Sequence, residues 1–433
     1  MKHGGRDRRS VTRKCRQKVV GFGSFVLIGS LIGWFMLLIV YLLPVEPMEK
    51  NVRIALEELS DLGPSPMLFE DNAATQLDIY TDTIMLNEAI YAGNESILER
   101  VAAVYRYDYE DRTPFQSLLA YLSGESGVSK IEYARYWHGY LVFLKPLLLI
   151  GTYNNIKCLN LFIQIFLISV IALEMTKRKL THYIGCLILG VYALMPIAVV
   201  LCLQYSTILN ITLIACVILL KFYEWFKDHN VISYFYVSIG MVVCYFDFLT
   251  YPLVSLGFVL LMHSILEKSN GSIKRCFCDT LSRMFYWSFG YVGLWGLKWV
   301  YASIFMQENI IKEGILQMLY RASTGASEIG VMEEISRTQT IMLNIRTIAS
   351  PSMIIALSVF ACVIVAVYIG KRKISLNIPI MIVQIAIAIM PVIWVAVTAN
   401  HAYIHYWMVY RVFAISVFSI TCMMTSLVWE GNS

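Results

Sequence analysis

Apolar blocks, mostly about 18 to 25 residues long, alternate along the chain with short polar connectors. They fall at about 20–43, 156–175, 182–203, 206–224, 231–250, 253–267, 285–306, 352–370, 376–398 and 409–428. As helices, blocks of this size cross roughly 30 Å of hydrocarbon. In lipid only helices or closed barrels satisfy the backbone, and a barrel would alternate apolar and polar residues rather than run them together. The pattern predicts an all-α integral membrane protein with about ten transmembrane helices.

One polar interval is far longer than the others, and it divides the chain. Residues 1–19 read as a cytoplasmic basic tail and 20–43 as the first transmembrane helix. Residues 44–155 form a long extracytoplasmic loop. Transmembrane helices two to seven occupy 156–306, a second extracytoplasmic loop 307–350, and helices eight to ten 351–433. Inside the first loop, Val52, Ile54, Ala55, Leu56 and Leu59 recur at helical spacing between charges, which predicts an interfacial helix over 48–62. Gly63-Pro64-Ser65-Pro66 ends it. Thr81–Ala92 also reads as helix. Tyr140–Ile150 is apolar but short and interrupted by Lys145-Pro146, so it reads as re-entrant or interfacial.

Charge fixes the expected orientation. Lys2, Arg6, Arg8, Arg9, Arg13, Lys14, Arg16 and Lys18 precede the first block, and Lys177–Lys179, Lys268, Lys274, Arg275, Arg283 and Lys371–Lys373 fall on the same predicted side. By the positive-inside bias both termini lie in the cytoplasm of a plasma-membrane protein, and the basic tail is a topology signal rather than a nucleic-acid site. The first block is longer than a signal-peptide core and reads as a retained anchor. Of 433 residues 58% are hydrophobic and 15% charged, against about 25% charged for soluble domains. Most of the ten cysteines fall within spans or on the basic side, so a disulfide framework is not expected.

With this topology, the unusual polar residues gather toward the extracytoplasmic boundary: Asp82, Arg135, His138, Lys145, Asp247, Lys298, His401, His405 and Arg411. An ionisable group at membrane depth costs a few kcal/mol, about 2.5–3.5 on insertion scales, so each needs a reason. Asp82, with Met85 and Leu86 one turn on, reads either as a general base raised by burial or as a helix-capping or solvated acid, with Asp78 and Glu88 as competitors. Arg135 and His138 lie among Tyr133, Tyr136, Trp137 and Tyr140, with Lys145 further on. They suit a phosphate or pyrophosphate, or form an interfacial aromatic belt. Asp247 and Lys298 sit where an ion pair can form. His401 and His405 have the i, i+4 spacing of two metal ligands, but no acidic triplet accompanies them, so hydrogen bonding to phosphate or sugar alongside Arg411 is the preferred reading. No P-loop, Rossmann, G-x-S-x-G or H-E-x-x-H motif is present.

The layout, with its long first loop carrying an acid, resembles the polytopic glycosyltransferases of the C superfamily. In detail the chain is similar to integral membrane proteins of mainly Gram-positive bacteria. The similarity rests on Thr81-Asp82 with Met85-Leu86, Ala134-Arg135-Tyr136-Trp137-His138-Gly139, Phe246-Asp247-Phe248-Leu249-Thr250-Tyr251-Pro252, and Asn400-His401 with His405-Tyr406-Trp407. The resemblance implies transfer of a sugar from a polyprenyl-phosphate donor to a cell-wall or lipid-linked glycan acceptor. Asp82 would be the catalytic base or acceptor-orienting carboxylate, and Arg135, His138, Lys145, Asp247, Lys298, His401, His405 and Arg411 would bind substrate. It implies no organic cofactor. A divalent metal lacks the paired acids that metal-using members carry. The alternatives are a transporter or flippase of lipid-linked glycans, and a glycan polymerase or ligase. The one-sided placement of charge and the absence of a visible internal repeat count against transport.

Overall fold

The computed structural model describes residues 4–267, 272–325, 334–371, 374 and 377–429, with the backbone alone for 4–19. The side chains of the basic tail, Lys268, Arg372 and Lys373 lie outside the described residues, as does part of the second loop.

Helices occupy every block read as a span. They are α1 (Gly4–Val40), α7 (Tyr153–Lys177), α8 (Ile184–Tyr192) with α9 (Pro196–Leu201), α10 (Leu203–Asp228), α11 (Ile232–Phe246), α12 (Leu253–Leu266), α13 (Ile273–Met306), α16 (Pro351–Lys371), α17 (Ile378–Val397) and α20 (Ala414–Trp429). Among the described residues six helical stretches are long and apolar enough to cross a bilayer: Val20–Val40, Tyr153–Lys177, Leu203–Asp228, Pro351–Lys371, Ile378–Val397 and Tyr406–Trp429. The chain is therefore a helical multi-pass membrane protein.

Three of the remaining blocks fall short for identifiable reasons; the fourth, at 285–306, lies within α13, a 34-residue helix that is not among those six stretches. The block at 182–203 breaks where Met195 turns left-handed (φ 57°) ahead of Pro196, which has no N–H to continue the ladder. The two following α10 end early, in the turn Asp247–Pro252, leaving α11 and α12 with 15 and 14 residues. Nearly every residue of α12 is buried, so it is a core helix enclosed by its neighbours rather than a lipid-facing one.

The first loop folds into a cap over one end of the bundle. It contains α2 (Glu46–Leu59), α3 (Ile79–Ile90), α4 (Ile97–Ala103), α5 (Pro114–Leu122) and α6 (Leu141–Ile150). A two-stranded antiparallel ribbon, β1 (Arg106–Asp108) with β2 (Ser129–Ile131), pairs Tyr107 opposite Lys130. The apolar stripe of α2 is where the spacing placed it, with Met48, Val52, Ala55, Leu56 and Leu59 buried. It is covered by α3, α5, α6 and α7 rather than lying open at an interface. The second loop supplies α14 (Ile310–Arg321) and α15 (Arg337–Ile348), and two short turns, α18 (Ala399–Ile404) and α19 (Tyr406–Val409), complete the capped end.

The tightest crossing in the bundle is between α11 and α13. A Cβ on Gly240 would sit 2.0 Å from the Trp287 carbonyl oxygen, and one on Gly290 would sit 2.1 Å from that of Val237. Two glycines facing each other's backbone let the helices meet main chain to main chain, the way small residues associate helices in lipid. Gly240→Val or Gly290→Val must separate them, at about 1–3 kcal/mol. Each is expected to lower the thermal midpoint in detergent clearly. A midpoint equal to wild type would show that the crossing is loose.

Candidate functional site

Most of the predicted charges meet helix ends, not one another. The Asp82 carboxylate on α3 is completely enclosed and accepts from the Leu203 N–H (3.0 Å), the Gln204 N–H (3.4 Å) and the Tyr153 hydroxyl. Leu203 and Gln204 open α10, whose preceding residue, Cys202, offers no side-chain cap. Asp82 thus caps α10 from another segment, where a negative charge also faces the positive end of the helix. Asp78 supports it, accepting from Thr81 and from the Gln204 side-chain amide at 2.8 Å.

The buried cations do the reverse. Lys145 donates to the Ala89 carbonyl (2.5 Å) in the last turn of α3. Lys298 donates to Val101 (3.2 Å) and Ala102 (2.7 Å), closing α4. It makes no ion pair with Asp247, whose carboxylate instead accepts from the Thr250 N–H and hydroxyl, shaping the turn after α11. Arg411 donates to Leu194 (3.0 Å), Trp407 (2.7 Å) and Ala74 (3.3 Å), spanning the break after α8. His401 bonds the Leu249 carbonyl at 2.7 Å, and His405 stands 5.0 Å from it, ring to ring. The expected single pocket joining Asp82 to Arg135 and His138 is therefore not formed. Asp82 is fully buried.

Three of the four motif strings do converge, around a different space. A cavity of about 250 Å³ lies between α13, α14 and α17. Its walls include Tyr136, Trp287, Tyr291, Trp295, Trp299 and Trp394, with Leu249 from the Phe246–Pro252 string. Arg135 and Arg321 also line it, with Gln317 and Thr398 among the polar groups. Arg321 reaches the Asn400 side chain at 3.3 Å, bringing in the third string. Val292 and Val397, also in the lining, are 64% and 55% exposed, so the cavity has an apolar mouth on the outer surface of α13 and α17.

The site is held rigidly. The indole N–H groups of Trp295 (2.7 Å) and Trp299 (3.1 Å) both donate to the Arg135 carbonyl, and Trp137 donates to Leu294 at 2.8 Å. Tyr136 stacks on Trp295. The Arg135 guanidinium pairs with Glu313 of α14 at 2.5 Å. Gly314 beside it lets α14 settle on Trp299, where a Cβ would approach the indole to 2.5 Å. Among the described residues, two donors at the cavity have no acceptor, Arg135 Nε and Trp394 Nε1. Buried donors are rarely left so, which marks them as places for a ligand oxygen or a water.

No family model matches this sequence, and neither the curated proteins nor the solved structures contain a significant match.

Sequence reasoning missed Arg321 and the tryptophan wall. The signal was present: Trp287, Tyr291, Trp295 and Trp299 recur every fourth residue, and Gly314, Gln317, Met318 and Arg321 share one face of α14.

Burial pushes the Asp82 carboxyl up to about 7, against the pull of its hydrogen bonds to Tyr153, Leu203 and Gln204. The folded state then holds this proton more tightly than the unfolded chain does. Stability from this group is full below its ordinary 3.8 and falls as pH rises toward about 7. Asp82→Ala, which strips the acceptor from three donors, is expected to cost at least about 2 kcal/mol. Asp82→Asn should fold, unfold with a shallower pH dependence across that window, and keep whatever lipid binding the wild type has. Loss of binding by a folded Asp82→Asn protein would restore this residue to the site.

Proposed function

We propose that the protein is a membrane glycosyltransferase. It moves a sugar from a polyprenyl-phosphate donor to a cell-envelope glycan acceptor on the extracytoplasmic face of the plasma membrane. The observation that carries this reading is the cavity: mainly apolar and aromatic in its lining, with an exposed apolar mouth, two guanidinium groups and two unpartnered N–H donors. A prenyl chain fits the tryptophan wall and a phosphate fits the arginines. The basic loops at the opposite end of the bundle favour the orientation.

In this reading the acceptor oxygen attacks the anomeric carbon as the bond from that carbon to the phosphate oxygen breaks. The electron pair stays on the polyprenyl phosphate, where Arg135 and Arg321 stabilise the growing charge. The acceptor's proton passes to a carboxylate. Asp82 has no access to the cavity, so Glu313, bonded to Arg135 and 42% exposed, takes the role. Gln317 and Thr398 are placed to meet sugar hydroxyls. A flippase would bind the same lipid without changing it; a polymerase or ligase would share the donor and differ in acceptor.

Arg135→Ala and Arg321→Ala are each expected to reduce transfer from a radiolabelled polyprenyl-phosphate sugar pool by about 100-fold or more, at wild-type membrane abundance. Lipid binding without any transfer by the wild type would favour the flippase. Unchanged transfer in both variants would end the proposal.

A further inference from the structure

Behind the Tyr136 side of the cavity lies a buried acid–base pair that the proposed chemistry does not use. Glu88 on α3 is 0% exposed and His138 1%. His138 Nε2 lies 2.8 Å from the Tyr133 carbonyl oxygen, and Nδ1 lies 3.1 Å from Glu88 Oε2. His138 itself is left-handed, φ 55°. Its ring folds back to close a loop of six residues, Tyr133 to His138, with Arg135 in the middle.

We infer that Glu88 is a positioning residue for Arg135, acting through a proton shared with His138 and through the Tyr133 carbonyl that His138 holds. The inference rests on reading the tryptophan cavity as a lipid-phosphate site. A carbonyl oxygen only accepts, so Nε2 carries a hydrogen. Nδ1 then faces a carboxylate oxygen. Its other neighbour, the Tyr140 hydroxyl at 3.1 Å, already donates to that same oxygen. The Nδ1–Glu88 contact is attractive only with a second proton between them, on the ring or on the acid. Lys298 from α13 and Tyr41 from the end of α1 also act on Glu88, and Tyr133 and Tyr136 flank the imidazole. Removing the shared proton turns a lone pair against a carboxylate inside a low-dielectric core. The ring then loosens its hold on the Tyr133 carbonyl, and the loop carrying Arg135 keeps only the bonds from Trp295, Trp299 and Glu313.

The test is binding of farnesyl phosphate to the full-length protein in detergent, read by intrinsic tryptophan fluorescence across about pH 6 to 9. Wild-type affinity should fall toward the alkaline end. Glu88→Gln gives Nδ1 a permanent N–H donor, so it should bind as the wild type does at low pH and lose the alkaline fall. Glu88→Ala should bind about tenfold more weakly throughout. A Glu88→Gln protein that keeps the wild-type pH slope overturns the positioning role and leaves the cavity reading intact. So does a wild-type profile that is flat. A wild type that binds no farnesyl phosphate at any pH overturns both. Should Glu88→Ala fail to fold, the Glu88→Gln and wild-type profiles decide alone.

Discussion

Helices that stop inside a low-dielectric interior leave N–H and C=O groups with no partner, and this protein answers that problem with its charged side chains. Asp82 meets the start of α10; Lys145, Lys298 and Arg411 meet carbonyls at or just beyond the ends of α3, α4 and α8. For these four the signs agree with the dipole, acid at the N-terminal end and base at the C-terminal ends. An uncompensated charge is costly at membrane depth, and so is an uncompensated helix end, and each relieves the other. The cap is joined to the bundle by the same bonds, because the capping residue and the capped helix usually come from different parts of the chain.

This explains how far the sequence could be read. Block length placed helices at each expected span, and the spacing of Val52, Ala55, Leu56 and Leu59 gave the buried face of α2. The strings around Arg135, Leu249 and Asn400 also came together as strings. The use of the charges was not legible. Helix capping was one of the sequence's readings of Asp82, but not which helix: the end that needs a cap is created by Cys202, whose extended backbone separates α9 from α10. A partner 121 positions away leaves no local periodicity. The tryptophan stripe on α13 was legible but was absorbed into the general apolarity of a span.

The cavity combines two kinds of precision. Its cationic end is fixed by main-chain bonds: two indoles grip the Arg135 carbonyl, and Glu313 ties the guanidinium to α14. Its apolar wall is a series of touching rings: Trp287 stacked on Tyr291, Tyr291 edge-on to Trp295, and Trp295 tilted against Trp299. Such a surface offers wide contact at small conformational cost and tolerates variation in what lies against it.

The glycine crossing decides which wall can yield. With Gly240 and Gly290 in main-chain contact, α11 and α13 behave as one beam, and everything mounted on α13 moves with it. The facing wall is different. Pro391 lies inside α17, three residues before Trp394, and its missing N–H cannot bond the Ile387 carbonyl. The neighbouring Ala388 and Gln384 carbonyls are held by hydroxyls of Ser416 and Ser419 on α20. Bending α17 at that point breaks no ladder bond that the proline had not already removed. The Trp394 arm of α17 is therefore the wall that can swing while Arg135, tied to the α13 beam, keeps its register, like a door hung on its hinge beside a fixed jamb.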